Sequence, residues 1–202
     1  MKLRYSPTSP YVRKVTITAI ETGLDARIER IPTNPWDPAT DLAGDNPVGK
    51  VPALITDGGE VLYDSPVICE YLDGMHDGYP LIPPSGGARW TALRRQALAD
   101  GILDASVLVF LETSRRPEAT RWDFWIERQT AVIGRSLDVL EDEVDSFGHI
   151  SIGLIAIGCA LGYLDFRLGN LDWRLTRPNL AEWYRIVSDR RSMQETVPVD
   201  PA

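Results

Sequence analysis

The period of the apolar residues changes at residues 78–87, and this change most constrains how the chain can fold. The segment reads GYPLIPPSGG, a composition typical of a linker. Before it, short strand-like and helix-like runs alternate; after it, apolar residues recur at helical spacing and strand signals stop. We therefore predict an α/β domain over residues 1–77, a linker over 78–87 and an all-α helical bundle over 88–202.

The first part alternates strands and helices. Ser9-Pro10 and Ser65-Pro66 each predict a helix start, with serine as the N-cap and proline at the first helical position. Gly23 is a fitting stop for the first of these helices. Asp57-Gly58-Gly59 predicts a hairpin turn. The strands are expected at 2–5, 26–31, 53–56 and 60–63. The order β-α-β, loop, β-β-α predicts a mixed four-stranded sheet with helices on its faces.

The second part reads as helices only. Two long apolar stripes at helical spacing run over residues 93–109 and 122–144. Residues 152–164 carry no charge and predict a helix buried on all sides, around which the others pack. A last helix is expected over 180–191.

Charge and cysteine content exclude several classes of function. The chain has 202 residues and a net charge of −8, so no basic surface favours nucleic acid or an anionic membrane. Cys69 and Cys159 lie far apart, without a CxxC pair or a Cys/His cluster, so we expect neither a metal site nor a dithiol centre. Both are interpreted as small buried hydrophobic residues.

The apolar runs indicate no membrane segment. The N-terminus MKLRYSP lacks the apolar core of a signal peptide. The longest uncharged apolar run, 152–164, is shorter than the roughly 20 residues that span a bilayer. A cytoplasmic protein is therefore expected.

Four stretches stand out by their motifs: SPYVRKV at 9–15, NPVGKVPAL at 46–54, LYDSPVICEYL at 62–72 and RPNLAEWY at 177–184. Together they resemble the cytosolic glutathione S-transferase family, and specifically bacterial members with a serine in the active site. The order and spacing of the stretches match the predicted elements, which makes the combination more specific than any one stretch. The resemblance implies a thioredoxin-like domain that binds glutathione, followed by a helical domain.

The resemblance also implies a catalytic role for Ser9. Family enzymes place this hydroxyl beside the sulfur of glutathione, where a donor and a helix N-terminus favour the reactive thiolate. From the local pattern alone, Ser9 is an ordinary N-cap. Thr8 and Ser6 are alternative hydroxyls, and Tyr5 ranks lower because it lies in the predicted strand.

Four further residues are implied to bind glutathione. Val51 would pair through its backbone with the cysteinyl unit, next to a cis Val51–Pro52 bond, and Lys50 would face the glycyl carboxylate. Ser65 and the helix amides would take the γ-glutamyl carboxylate, and Asp64 its ammonium group. Each residue can also be explained by local structure alone. The proline after Val51 could be an ordinary trans turn proline, and Lys50 a solvated loop lysine. Ser65 could be a helix cap, and Asp64 a charge in the first helical turn.

The implied function is an enzyme that uses glutathione as cosubstrate, with no permanently bound cofactor. It would activate the thiol to attack a small electrophile or a peroxide, in a homodimer formed through the helix near 90–116 and the one before it. The alternative is a non-catalytic binding or regulatory module that kept the fold. The sequence does not identify the electrophile.

Overall fold

The computed structural model describes residues 1–200. Its strands and helices are β1 (Lys2–Tyr5), α1 (Pro10–Glu21), β2 (Glu29–Pro32), α2 (Leu42–Asp45), β3 (Ala53–Ile55), β4 (Val61–Leu62), α3 (Ser65–Asp73), α4 (Gly86–Phe110), α5 (Asp123–Glu143), α6 (Ile152–Arg167), α7 (Pro178–Ser188) and α8 (Arg191–Gln194).

The four strands form one mixed sheet, as predicted, and their order in this sheet is β2-β1-β3-β4. β1 runs parallel to β2 and antiparallel to β3, and β3 runs antiparallel to β4. The second strand begins at Glu29 rather than at residue 26, because a 3₁₀ turn over Asp25–Arg27 precedes it. The helices α1 and α3 pack against each other, and both bury apolar side chains such as Val15 and Ile68.

The chain forms two compact units, residues 85–190 and residues 1–84 together with 191–200. This division differs from the predicted one, which assigned everything after 88 to the helical domain. The guanidinium of Arg13 donates to the carbonyl of Met193 at 3.2 Å and to the hydroxyl of Thr196 at 3.3 Å. Since such long-range anchors leave no periodic pattern, the sequence could not reveal that the C-terminal segment packs on α1.

The second unit contains helices and short helical turns but no strand, which confirms the predicted change from an α/β to an all-α part of the chain. α4 begins at Gly86, earlier than the linker prediction allowed, and ends in a turn of π-helix over Leu111–Arg115. The predicted buried helix is α6, in which every residue from Ile152 to Leu164 is buried.

A glycine permits the closest approach in this unit. A Cβ atom on Gly153 of α6 would lie 2.6 Å from the carbonyl oxygen of Ala92 and 2.8 Å from Cβ of Arg95, both on α4. α4 and α6 can therefore pack this closely only because residue 153 has no side chain.

Among residues 1–200, no single helix is both long and apolar enough to cross a bilayer. Within the same range, only the bent pair of α6 and residues 169–176 reaches the required length and composition together.

Candidate functional site

Ser9 caps the N-terminus of α1, as the sequence predicts. Its backbone is extended, with φ −82° and ψ 120°, and Pro10 is the first helical residue. Its Oγ accepts a hydrogen bond from the amide of Val12 at 3.3 Å. Accepting this bond uses a lone pair of the hydroxyl and leaves its proton available to another acceptor. The cap geometry and a donor role are thus compatible in one side chain.

The two alternative hydroxyls lie just before the helix. Ser6 Oγ and Thr8 Oγ1 are 3.2 Å apart and share a hydrogen bond, and the carbonyl of Ser6 accepts from the amide of Ser9 at 3.2 Å. Tyr5 is a strand residue, and the guanidinium of Arg30 lies 5.2 Å from the centre of its ring. Among these hydroxyls, Ser9 is the one at the helix N-terminus.

The loop before β3 is organised by a residue that the sequence analysis did not single out. Asn46, 2% exposed, accepts from the amide of Val48 at 3.0 Å through Oδ1 and donates from Nδ2 to the carbonyl of Lys50 at 2.7 Å. Gly49 has φ +68°, a conformation that a glycine adopts without penalty. The sequence feature that could have indicated this role is the Asn-Pro pair at 46–47, since such a pair is typical of a turn.

Val51 follows this turn, and the Val51–Pro52 bond is cis, as predicted. Val51 is buried but precedes the first residue of β3. No backbone hydrogen bond joins Val51 to another residue within 1–200. The side chain of Lys50 is exposed and forms no ion pair with any described residue. Both residues therefore retain polar groups for a ligand.

The start of α3 differs by one residue from the prediction. Asp64, not Ser65, occupies the N-cap position, its side chain makes no capping bond, and Ser65 is the first helical residue. The peptide bond between Tyr63 and Asp64 is also cis. The side chain of Ser65 is buried, with 1% of the residue exposed. Asp64 is exposed beside it.

The register of the sheet brings these three segments to the same end. Arg4 pairs with Ala53, so the end of β1, which leads to Ser9, lies beside the start of β3, which follows Val51. Leu54 pairs with Leu62, so the end of β4, which leads to Ser65, lies at that end too. The N-termini of α1 and α3 thus begin at one end of the sheet.

This arrangement suits an anionic peptide-like ligand. Helix N-termini carry partial positive charge and unpaired amides, which favour carboxylates and thiolates. Lys50 adds a full positive charge, and the backbone of Val51 offers the groups that pair with an extended peptide. The residues that could hold such a ligand are Ser9, Lys50, Val51, Asp64 and Ser65, all in the first unit.

The cysteines are not part of this arrangement. Cys69 lies inside α3 and Cys159 inside α6, and both are fully buried, as predicted. The hydroxyl of Thr18 donates toward the Cys69 sulfur at 3.4 Å. Among residues 1–200, no group of three or more His, Cys, Asp or Glu side chains is placed to hold a metal ion.

Comparison with known proteins identifies the family. The family description "Glutathione S-transferase, N-terminal domain" matches residues 8–75, and "Glutathione S-transferase, C-terminal domain" matches residues 123–185. The chain belongs to the glutathione S-transferase family. The N-terminal match includes every candidate residue of the site, and the observed fold is that of the family, a thioredoxin-like sheet domain followed by a helical domain.

Several relatives resemble this glutathione S-transferase family member over nearly its whole length. The uncharacterized GST-like protein YibF of Escherichia coli (strain K12) is 38% identical over 202 residues, which cover 98% of each chain. A glutathione transferase family member from Pseudomonas fluorescens Pf-5, solved with bound glutathione, is 48% identical, with a TM-score of 0.92 over 98% of this chain and 99% of that one. A second structure from that organism holds S-(propanoic acid)-glutathione; it is 46% identical, with a TM-score of 0.92 over 99% of this chain and 100% of that one.

Proposed function

We propose that this protein is a glutathione transferase that activates the thiol of glutathione for attack on a small electrophile or a peroxide. The observation that carries the proposal is the meeting of the α1 N-terminus, the Val51 backbone and the α3 N-terminus at one end of the sheet. Glutathione bound in a relative 48% identical to this chain supports the choice of ligand.

The first domain would bind glutathione along this end of the sheet. The hydroxyl of Ser65 and the first amides of α3 donate hydrogen bonds to the γ-glutamyl carboxylate, and Asp64 faces its ammonium group. The backbone of Val51 pairs with the cysteinyl unit in the manner of a β-strand. Lys50, which is exposed, reaches toward the glycyl carboxylate. Each charged group of the tripeptide thereby meets a group of opposite charge or a hydrogen-bond donor.

Ser9 would act on the sulfur. A free thiol has a pKa near 8.5 and is mostly protonated at neutral pH, yet the thiolate is the nucleophile. A hydrogen bond from the Ser9 hydroxyl and the partial positive charge at the start of α1 both stabilise the anion and lower the thiol pKa. The thiolate then attacks the electrophile directly, so Ser9 forms no covalent intermediate.

The chemistry of serine separates this activity from thiol–disulfide exchange. A mixed disulfide between enzyme and glutathione needs a thiol at the N-terminus of α1, and Ser9 supplies a hydroxyl there. Binding of a glutathione thioether by a relative supports conjugation, because a thioether is the product that such a reaction forms. We therefore favour conjugation over exchange.

The assembly and the location are part of the same proposal. We infer a homodimer that pairs through α4 and the preceding helix α3, because α4 exposes apolar side chains such as Trp90, 69% exposed, and Leu108. We also infer a cytoplasmic enzyme of detoxification. Sedimentation at micromolar concentration should give a species of twice 22.5 kDa, and a 22.5 kDa species would contradict the dimer.

Two measurements test the activity. The protein should be retained on immobilised glutathione and eluted by free glutathione. In a panel of halonitrobenzenes, isothiocyanates and hydroperoxides, each with glutathione, at least one compound should react faster than in the uncatalysed control. Retention without turnover of any compound would favour the alternative, a non-catalytic module. Absence of retention would contradict the glutathione site itself.

A further inference from the structure

A cavity in the second unit has no role in the site proposed above. It lies where α4 ends and α5 begins, and its volume is about 280 Å³. Four side chains line it, those of Glu112, Arg116, Trp122 and Trp125. All four belong to the second unit, whereas every residue proposed to bind glutathione belongs to the first.

The carboxylate of Glu112 lines this cavity, and two groups of the protein contact it through the same oxygen. Its side chain is 9% exposed. Oε1 accepts from the amide of Trp122 at 2.9 Å and lies 2.9 Å from Nε of Arg116. Both of these contacts engage Oε1, so Oε2 is the atom of this carboxylate that a donor on a ligand can reach.

The opposite wall of the cavity is aromatic. The rings of Trp122 and Trp125 are stacked, with centroids 5.9 Å apart and planes inclined by 13°. Trp122 is nevertheless 59% exposed, which is unusual for so large an apolar side chain. Parallel indole faces bind flat rings by stacking. This wall therefore favours a planar aromatic ligand.

The balance of charge indicates that the ligand is neutral. The cavity contains one carboxylate and one guanidinium, and these two groups pair with each other. A charged ligand that enters the cavity would lose its hydration without meeting an unpaired opposite charge. A neutral hydroxyl or amino group can instead donate to Oε2 of Glu112.

We propose that this cavity binds a flat, neutral aromatic molecule carrying one O–H or N–H donor, such as a phenol or an aryl amine. The ring stacks on Trp122, and the donor bonds to Oε2 of Glu112. The local backbone fits such a role, since the turn of π-helix over Leu111–Arg115 carries Glu112, and such turns occur often at functional sites.

The test compares two probes of the same shape by titration calorimetry, without glutathione. 2-Naphthol has the donor, and 2-methoxynaphthalene lacks it. The unmodified protein should bind 2-naphthol at one site per chain, and about ten-fold or more tightly than the methoxy analogue. Equal affinity for the two probes would overturn the proposal, as would tighter binding of the cation benzyltrimethylammonium.

Two variants test whether 2-naphthol binds in this cavity. Glu112→Gln keeps an oxygen for the amide of Trp122 but puts an amino group where Oε2 was, so it should weaken 2-naphthol binding about ten-fold or more. Trp122→Leu should weaken it by about three- to ten-fold. The control is Trp36→Leu, a similarly exposed tryptophan in the first unit, 67% exposed, which should change nothing. Unchanged binding in Glu112→Gln would overturn the assignment, whether or not the protein conjugates glutathione.

Discussion

The side-chain amide of Asn46 donates a hydrogen bond to the backbone carbonyl of Lys50 at 2.7 Å, one residue before Val51. The same side chain accepts from the amide of Val48. Asn46 thus closes the loop that presents both Lys50 and Val51, although it would not touch glutathione itself. It acts as a positioning residue for the proposed site.

Replacing Asn46 by Asp should weaken glutathione binding by about three- to ten-fold. The aspartate keeps the acceptor for Val48 but cannot donate to the carbonyl of Lys50. Calorimetric titration with glutathione measures the effect. The matched control is Asn34→Asp, because Asn34 uses only its oxygen, to accept from the amide of Trp36 at 3.0 Å. Equal losses in the two variants would show that the added charge, not the lost donor, is responsible.

Replacing Ser65 by Ala should weaken glutathione binding by about ten- to 150-fold, because the variant lacks a hydrogen bond to a charged carboxylate. The rate of the bound complex should change much less, since this contact is the same in the ground and transition states. Binding is measured by calorimetry and the rate at saturating glutathione. Ser85→Ala, at the start of α4, is the control. An unaltered affinity in Ser65→Ala would remove this residue from the site.

Replacing Gly153 by Ala should destabilise the protein by about 1–3 kcal/mol, because the new methyl group would overlap the backbone of Ala92. Gly101, inside α4, is the matched control, since a Cβ there meets nothing within 4 Å. Gly101→Ala should be stabilising by about 0.5–1 kcal/mol. Denaturant unfolding of both variants checks the pair, and a neutral Gly153→Ala would contradict the packing described for α4 and α6.

The stability of the helical unit should depend on the ionisation of Glu143. A hydrogen bond from Arg94, followed by one from Arg95, holds the pKa of the Glu143 carboxyl below its ordinary value. A lowered pKa in the folded state adds stability above the ordinary pKa of glutamate, and that stability is lost as pH falls through the folded-state value. We expect the difference in unfolding free energy between the wild type and Glu143→Gln to be constant near neutral pH. It should shrink as pH falls from 5 to 3; a constant difference down to pH 3 would contradict the assignment.

The sequence predicted the parts of the fold that depend on local pattern. The period of Val12, Val15 and Ala19 gave α1, and the uncharged run gave α6. Long-range contacts were not predictable in this way. The anchoring of Met193 and Thr196 by Arg13 joins residues about 180 positions apart, and neither segment has a pattern that indicates the other.

In the candidate site, too, the features set by local sequence were predictable and those set by the folded loop were not. Ser9 as a cap and the cis bond before Pro52 were predicted correctly, because each depends on residues next to one another in the chain. The N-cap of α3 was predicted at Ser65 but lies at Asp64. The two hydrogen bonds by which Asn46 closes the loop were not predicted, since they depend on the conformation of the loop rather than on a periodic pattern.

The most direct test of the proposed function is the pH dependence of the conjugation rate in wild type, Ser9→Ala and Ser9→Gly. Alanine removes both the cap and the hydroxyl and should cost about 0.5–2 kcal/mol of stability, whereas glycine replaces a capping serine at a cost of only a few tenths. Both variants should react about ten- to 150-fold more slowly near neutral pH, because each lacks the hydrogen bond to the thiolate.

The midpoint of the pH–rate profile decides between the two roles of Ser9. If its hydroxyl donates to the sulfur, both variants should shift the midpoint upward toward the pKa of the free thiol, near 8.5, and the rate loss should shrink above that pH. Thermal unfolding of the same proteins should show a lower melting temperature mainly for Ser9→Ala. An unshifted midpoint in both variants, with a lower melting temperature in Ser9→Ala, would contradict the account and leave Ser9 as a helix cap, with Thr8 or Ser6 as the donor.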